Sequence, residues 1–217
     1  MPDTPTSNRF ERRRARTRAA LIGAARALLA EGAAAEASIQ SIADRADIGF
    51  GSFYNHFESK TALFDAAVTD ALEEYGQLID TVVEGIEDPA EVFSVSVRMT
   101  VGMVETHPEL AHVLRRRGIE QLHADTGLAP RALRDIEKGV AGGRFSVEDP
   151  RIALSAVGGS LLGLLQLESV RPDVSGPEAA GQLAALILRM LGLPPDEARE
   201  VAGRPLPPVP GGPVPSG

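Results

Sequence analysis

Apolar residues recur at three- and four-residue spacing along most of the chain, and no segment alternates with a clear period of two. That pattern predicts helix over nearly all of residues 12–202. The first helix is expected over about Arg12–Glu31, with Leu21, Ile22, Ala25, Leu28 and Leu29 as its stripe and Gly32 as its stop. Ser38 caps a short second helix carrying Ile39, Ile42, Ala43 and Ala46 on one face, and a third short helix covers about Phe50–Phe57. Ser59 opens a long fourth helix running to about Val83. Proline at a first helical position marks further starts at Pro89, Pro108, Pro150 and Pro177, where its missing N–H costs no hydrogen bond. "APRALRDIEKGVAGG" reads as a seventh helix, and a short terminal one is expected around Asp196–Ala202. The fold class is therefore all-α, with about nine to ten helices.

Charge changes the picture at the N-terminus. The whole chain is at −8, yet residues 1–60 hold nine Lys and Arg against seven Asp and Glu, while residues 61–217 hold 13 against 23. Between Arg9 and Arg26 seven arginines face Glu11 alone, so an acidic body carries a basic head. The lead Arg12-Arg13-Arg14-Ala15-Arg16 fits a flexible arm reaching a nucleic-acid backbone or minor groove, or else a solvated basic tail. There is no cysteine, which removes disulfide and thiolate chemistry. The N-terminus has no apolar stretch of the secretory kind, and the longest apolar run, Ile152–Leu167, is short against the ~20 residues of a membrane span. A cytoplasmic location is expected.

Aromatic residues make up 4% of the chain, yet "ADIGFGSFYNHFESK" holds four of them and a histidine. Phe53 and Phe57 are four apart and share a helix face; Ile39, Ile42 and Ala46 oppose them. Two helices this short bury such faces only against each other and the first helix, which is the helix-turn-helix arrangement. Gly49, Phe50, Gly51, Ser52, Tyr54 and Asn55 then face outward with His56, where small side chains leave room for a close approach.

Residues 16–67 resemble the DNA-binding domain of the tetracycline-repressor (TetR) family of bacterial transcription regulators. The resemblance rests on "ALIGAARALLAEG", on "SIQSIADRADIGFGSFYNHFESKTALF" and on the spacing between them. It implies that Ser38 caps a helix and touches a phosphate, that Gly49, Phe50, Gly51, Ser52 and Asn55 face the major groove, and that Tyr54, His56 and Lys60 hold the backbone. Arg12, Arg13, Arg14 and Arg16 would form the arm. Asp47-Ile48-Gly49 departs from the Gly-Val-Ser or Gly-Val-Ala common in the family, and Gly49 lacks a capping hydroxyl. Phe50 stands where polar or basic residues are common; it either meets a thymine methyl or packs on Tyr54. The domain division expected is an arm over 1–11, a helix-turn-helix domain over 12–58, a helical effector-binding and dimerisation domain over 59–202, and a disordered Pro/Gly tail over 203–217.

In the body, the eighth helix is apolar almost all round, with Ser155, Gly159 and Gly163 as a strip of small residues. Ala180 and Ala184 form a similar strip on the ninth, with Ile187 beside it. Both fit either a two-fold dimer interface, as the family implies, or packing within one chain. The family also implies an effector pocket among the middle helices, for which Phe93, Arg98, Met99, Met103, His107 and Gln166 are the candidates, although methionines fill cores as readily. The four histidines lack metal-ligand spacing, and no phosphate loop or nucleophile elbow occurs, so neither an enzyme nor a cofactor or metal is expected. The function expected is a homodimeric DNA-binding regulator, a repressor released from a palindromic operator by an apolar or amphipathic small molecule. The alternative is a DNA-binding dimer without a working pocket, controlled by concentration or a protein partner.

Overall fold

The computed structural model describes residues 5–210 and side chains from residue 9 onward. The described residues form ten helices: α1 (Pro5–Ala30), α2 (Ile39–Arg45), α3 (Phe50–Phe53), α4 (Lys60–Val82), α5 (Pro89–Thr106), α6 (Pro108–Gln121), α7 (Leu128–Ala141), α8 (Pro150–Val170), α9 (Gly176–Met190) and α10 (Pro195–Ala202). The chain divides into two compact units between Ala71 and Leu72, inside α4 rather than ahead of it.

The first unit is built on a small core. Leu21, Ala25, Ile42, Phe53 and Leu63 are fully buried, with Phe57 beside them. The Phe53 and Phe57 rings lie 6.2 Å apart, and the Arg18 guanidinium sits 5.0 Å above the Phe57 ring. Two expectations change here. Arg12, Arg13, Arg14 and Arg16 are exposed but lie inside α1, because Arg, Glu and Ala are strong helix formers and Pro5 stands at the helix's first position, where it costs no hydrogen bond; they are not a flexible arm. Residues 1–4 of the expected arm lie outside the described residues. The third helix is shorter than expected: past Phe53 the chain continues as tight turns, with Asn55 N–H to Ser52 O at 3.2 Å and His56 N–H to Phe53 O at 2.9 Å.

The second unit packs α5 at its centre. Phe93, Val97 and Val101 of α5 share a core with Ala180, Ala184, Ile187 and Leu188 of α9 and with Ala198 and Val201 of α10. Asp88 caps α5 by accepting from Ala90 N–H at 3.0 Å, and Asp149 caps α8 by accepting from Arg151 N–H at 2.8 Å. Gly118 of α6 and Gly158 of α8 permit a close approach between the α6 and α8 regions. A Cβ on Gly118 would meet Leu162 at 2.3 Å, and one on Gly158 would meet Leu122 at 2.2 Å.

The segment after α10 also departs from expectation. Residues 203–210 are docked, not disordered. Arg204 pairs with Glu91, and its carbonyl accepts from Arg98 Nη1 at 2.6 Å. Arg144 ties Asp88 to Glu197, at 2.8 and 2.6 Å, and holds the start of α10 near that of α5. The remainder of the expected tail, residues 211–217, lies outside the described residues.

Candidate functional site

The outward edge of the first unit is set by local chemistry. Ser38 Oγ accepts from Ser41 N–H at 3.0 Å and Ser41 Oγ accepts from Ser38 N–H at 3.0 Å, a reciprocal cap that fixes the start of α2. The turn after α2 passes through Asp47 at φ 54°, a left-handed conformation that Gly adopts more easily. Gly49 then opens α3 without a side-chain cap. Phe53 turns inward, which leaves Gly49, Phe50, Gly51, Tyr54 and Asn55 exposed and Ser52 half-buried. A Cβ on Gly51 would meet nothing within 4 Å, so this edge is open to a bulky partner. Phe50 packs edge-on against Tyr54 at 5.9 Å, yet both rings remain about half exposed, at 46% and 54%.

His56 is half-buried beside α1, and its Nδ1 has no hydrogen-bond partner among the described residues. Burial first, then Arg14 and Arg18, lowers its pKa, which favours the neutral ring. Lys60 Nζ donates to the carbonyls of Ala35 and Ala37 at 3.0 and 2.9 Å. The ammonium thus ties the α1–α2 loop to the start of α4 and still has one N–H left.

The second unit contains an inner cavity of about 100 Å³. Its walls are mostly apolar, from Leu72 and Ile79 of α4, Phe93 and Val97 of α5, Leu114 of α6 and Leu154 and Val157 of α8. Ser96, Thr100, Gln121, Asp80, Arg131 and Asp135 supply the polar positions. Arg131 is fixed from three sides: Nε donates to Asp80 at 2.7 Å, Nη2 to Glu73 at 2.7 Å and Nη1 to the Gly127 carbonyl at 2.7 Å. Arg134 bridges Asp80 and Asp135 at 2.8 and 2.9 Å. Burial raises the Asp80 pKa, but the hydrogen bonds from Arg134 and Arg131 outweigh it and the net shift is downward. The Arg131 hydrogen bond, helped by Gly127 N–H, takes Glu73 down to about 2. The result is a mostly apolar pocket with a rigidly held carboxylate rim that can accept hydrogen bonds.

Of the residues expected in an effector pocket, only Phe93 lines this cavity. Arg98, Met99 and His107 line a separate groove, Met103 is fully buried in the core, and Gln166 is exposed on α8. The expected interface residues also separate. Ser155, Gly159 and Gly163 are exposed. Ala180, Ala184 and Ile187 are buried at 4%, 0% and 0%: the two small alanines let α9 press against α5 within the chain, and Ile187 packs into the same core. They are not available to a second protomer. The exposed face of α9 is instead Gln182, Leu186 and Met190. Asp80, Arg131 and Asp135 were not singled out by the sequence. The available signal is Asp135, a charge on the inward stripe of α7 between Ala132 and Gly139.

Two family models match the chain. Residues 21–67 match the model for bacterial regulatory proteins of the tetR family, and residues 88–204 match the model for the tetracyclin repressor-like C-terminal domain. The chain belongs to the tetracycline-repressor family. It is an all-α, DNA-binding transcriptional regulator, and its helix-turn-helix lies in the matched N-terminal segment. Among solved structures, that of RolR in complex with resorcinol is 35% identical, with a TM-score of 0.77 over 91% of this chain and 98% of that one. RolR without ligand is 35% identical, with a TM-score of 0.72 over 88% and 99%. A tetR family regulator from Shewanella sp. PV-4 shares the fold at 15% identity, with a TM-score of 0.63 over 82% and 99%. No curated protein matches the chain.

Proposed function

We propose that this family member is a homodimeric repressor, released from a palindromic operator by a small, neutral, hydroxylated aromatic molecule bound in the inner cavity. The observation that carries the reading is the rim of Asp80, Arg131 and Asp135 on an otherwise apolar cavity of about 100 Å³. A comparable engineered cavity of roughly 150 Å³ holds benzene, so one aromatic ring is the right scale. The carboxylates accept hydrogen bonds from phenolic O–H groups, while an anionic arene would meet like charge. RolR, the 35%-identical relative, has been solved with resorcinol, a ring with two such hydroxyls. These observations favour a working pocket over a regulator governed by concentration alone.

The dimer rests on α8 and α9. Ile152, Leu167 and Val170 of α8 are 71%, 41% and 63% exposed, beside the open strip of Ser155, Gly159 and Gly163. Leu186 and Met190 of α9 add 54% and 46% exposed side chains. An apolar surface of this kind calls for a partner, and a second copy supplies the second recognition turn that a palindrome needs. On the DNA side, Gly49, Phe50, Gly51, Ser52 and Asn55 would face the major groove, and Ser38, Tyr54, His56 and Lys60 would hold phosphates. Arg12, Arg13, Arg14 and Arg16 would add backbone contacts from α1. Such a regulator acts in the cytoplasm.

Calorimetric titration with resorcinol tests the ligand. The wild-type chain should bind it and reject benzoate. Asp80→Asn and Asp135→Asn should each weaken binding about tenfold or more, the scale of a lost charge-assisted hydrogen bond. No binding by the wild type at millimolar resorcinol, or equal binding by folded variants, would defeat the reading.

A further inference from the structure

The second unit has another concavity, independent of the inner cavity and of the ligand just assigned to it. A groove of about 380 Å³ runs along α5 from Arg98 to Thr106, past His107, and is bounded by Tyr75, Glu168 of α8, the start of α9, and Leu206 and Val209 of the docked C-terminal segment. Glu168 falls on the inward stripe of α8, in line with Leu154, Val157, Leu161 and Leu165. It is 7% exposed, and its Oε2 has no hydrogen-bond partner among the described residues. A buried carboxyl oxygen with no donor is costly to the fold unless something supplies one.

We propose that this groove is a second ligand site, one that takes an amphipathic organic amine, with the ammonium on Glu168 and the apolar body along α5 under Leu206 and Val209. Three features favour a cation. The Glu168 oxygen left unpaired is an acceptor, and Gly176 N–H already serves the carboxyl as backbone donor. Glu105 lies on the same rim and adds negative charge, against Arg115 of α6. The groove's own guanidinium, Arg98, is seven residues from Glu105, about 10 Å along the helix, and is committed to the Arg204 carbonyl at 2.6 Å. Burial first, then Glu105, pushes the Glu168 pKa up against the pull of Gly176 N–H and Arg115; an ammonium placed there would reverse that shift.

Gly102 supports the same assignment. It sits inside α5, where glycine weakens a helix, and a Cβ there would meet nothing within 4 Å. The missing side chain keeps the floor of the groove open between its two ends.

Hexylamine is the probe, with hexanoate and hexan-1-ol as charge and chain controls, by calorimetry and thermal shift at pH 7.5. Hexylamine should bind the full-length wild-type chain and raise its Tm, while hexanoate and hexan-1-ol should not. Glu168→Gln should keep the fold by circular dichroism and lose at least tenfold in hexylamine affinity. Gly102→Leu, which fills the groove, should abolish binding; if that variant does not fold, Glu168→Gln decides alone. Resorcinol binding by Glu168→Gln should be unchanged, so failure here leaves the inner-cavity reading standing. The proposal is overturned if hexylamine does not bind, if folded Glu168→Gln binds it as tightly as wild type, or if hexanoate binds in its place.

Discussion

Phe53 decides whether the edge proposed to face DNA exists. It is fully buried, and its ring holds the short α3 turn so that Gly49 and Gly51 point outward. Phe53→Ala should cost about 3–5 kcal/mol, as large core deletions do, and a urea titration should show the loss. That residue was legible in the sequence because its partner, Phe57, is four positions away on the same short segment. Asp135 was not, although it interrupts an apolar stripe, because the Arg134 that bridges it to Asp80 spans 54 positions of chain. Glu73 gives a test by pH. Its folded pKa is depressed to about 2 from an ordinary 4.5, chiefly by Arg131, so its contribution is present above the unfolded value and is lost as pH falls through the folded one. The Tm difference between wild type and Glu73→Gln should be clear at pH 7 and should close between pH 4.5 and about 2. A gap that widens on acidification would contradict the Arg131 pairing.

Helices were the easiest level to read, because periodicity and proline starts report each one locally. Which face a helix turns inward was harder. The strips on α8 and α9 look alike in sequence, yet Gly159 and Gly163 meet open space while Ala180 and Ala184 pack on α5. Small residues permit close approach without naming the partner. The same ambiguity hid Gly158, which lies next to Gly159 but faces Leu122 and the cavity. Gly158→Ala should force Leu122 to move, cost about 1–3 kcal/mol as overpacking does, and weaken resorcinol binding measurably. Gly159→Ala should do neither, since its Cβ has room. Equal effects at the two positions, by thermal melts and calorimetry, would contradict this assignment of faces.

At the level of the whole molecule, charge and composition separated a basic head from an acidic body, and the family match covers both the helix-turn-helix and the C-terminal domain. The inner cavity could not be read from sequence, since its rim joins side chains of α4 and α7 that only the folded chain brings together. Gly159→Arg places a charge on the exposed face of α8 with no clash inside the protomer. It should shift sedimentation from dimer to monomer and weaken operator binding together; a dimer that persists would remove α8 from the interface. The most direct test of the account is fluorescence anisotropy on a labelled duplex taken from DNA flanking the protein's own gene, with resorcinol titrated into the preformed complex. The wild-type chain should release the duplex as resorcinol saturates, and Asp80→Asn should hold it at the same concentration. A wild-type complex that survives saturating resorcinol, or an Asp80→Asn complex that releases at the wild-type midpoint, would contradict the claim that the inner cavity governs DNA binding.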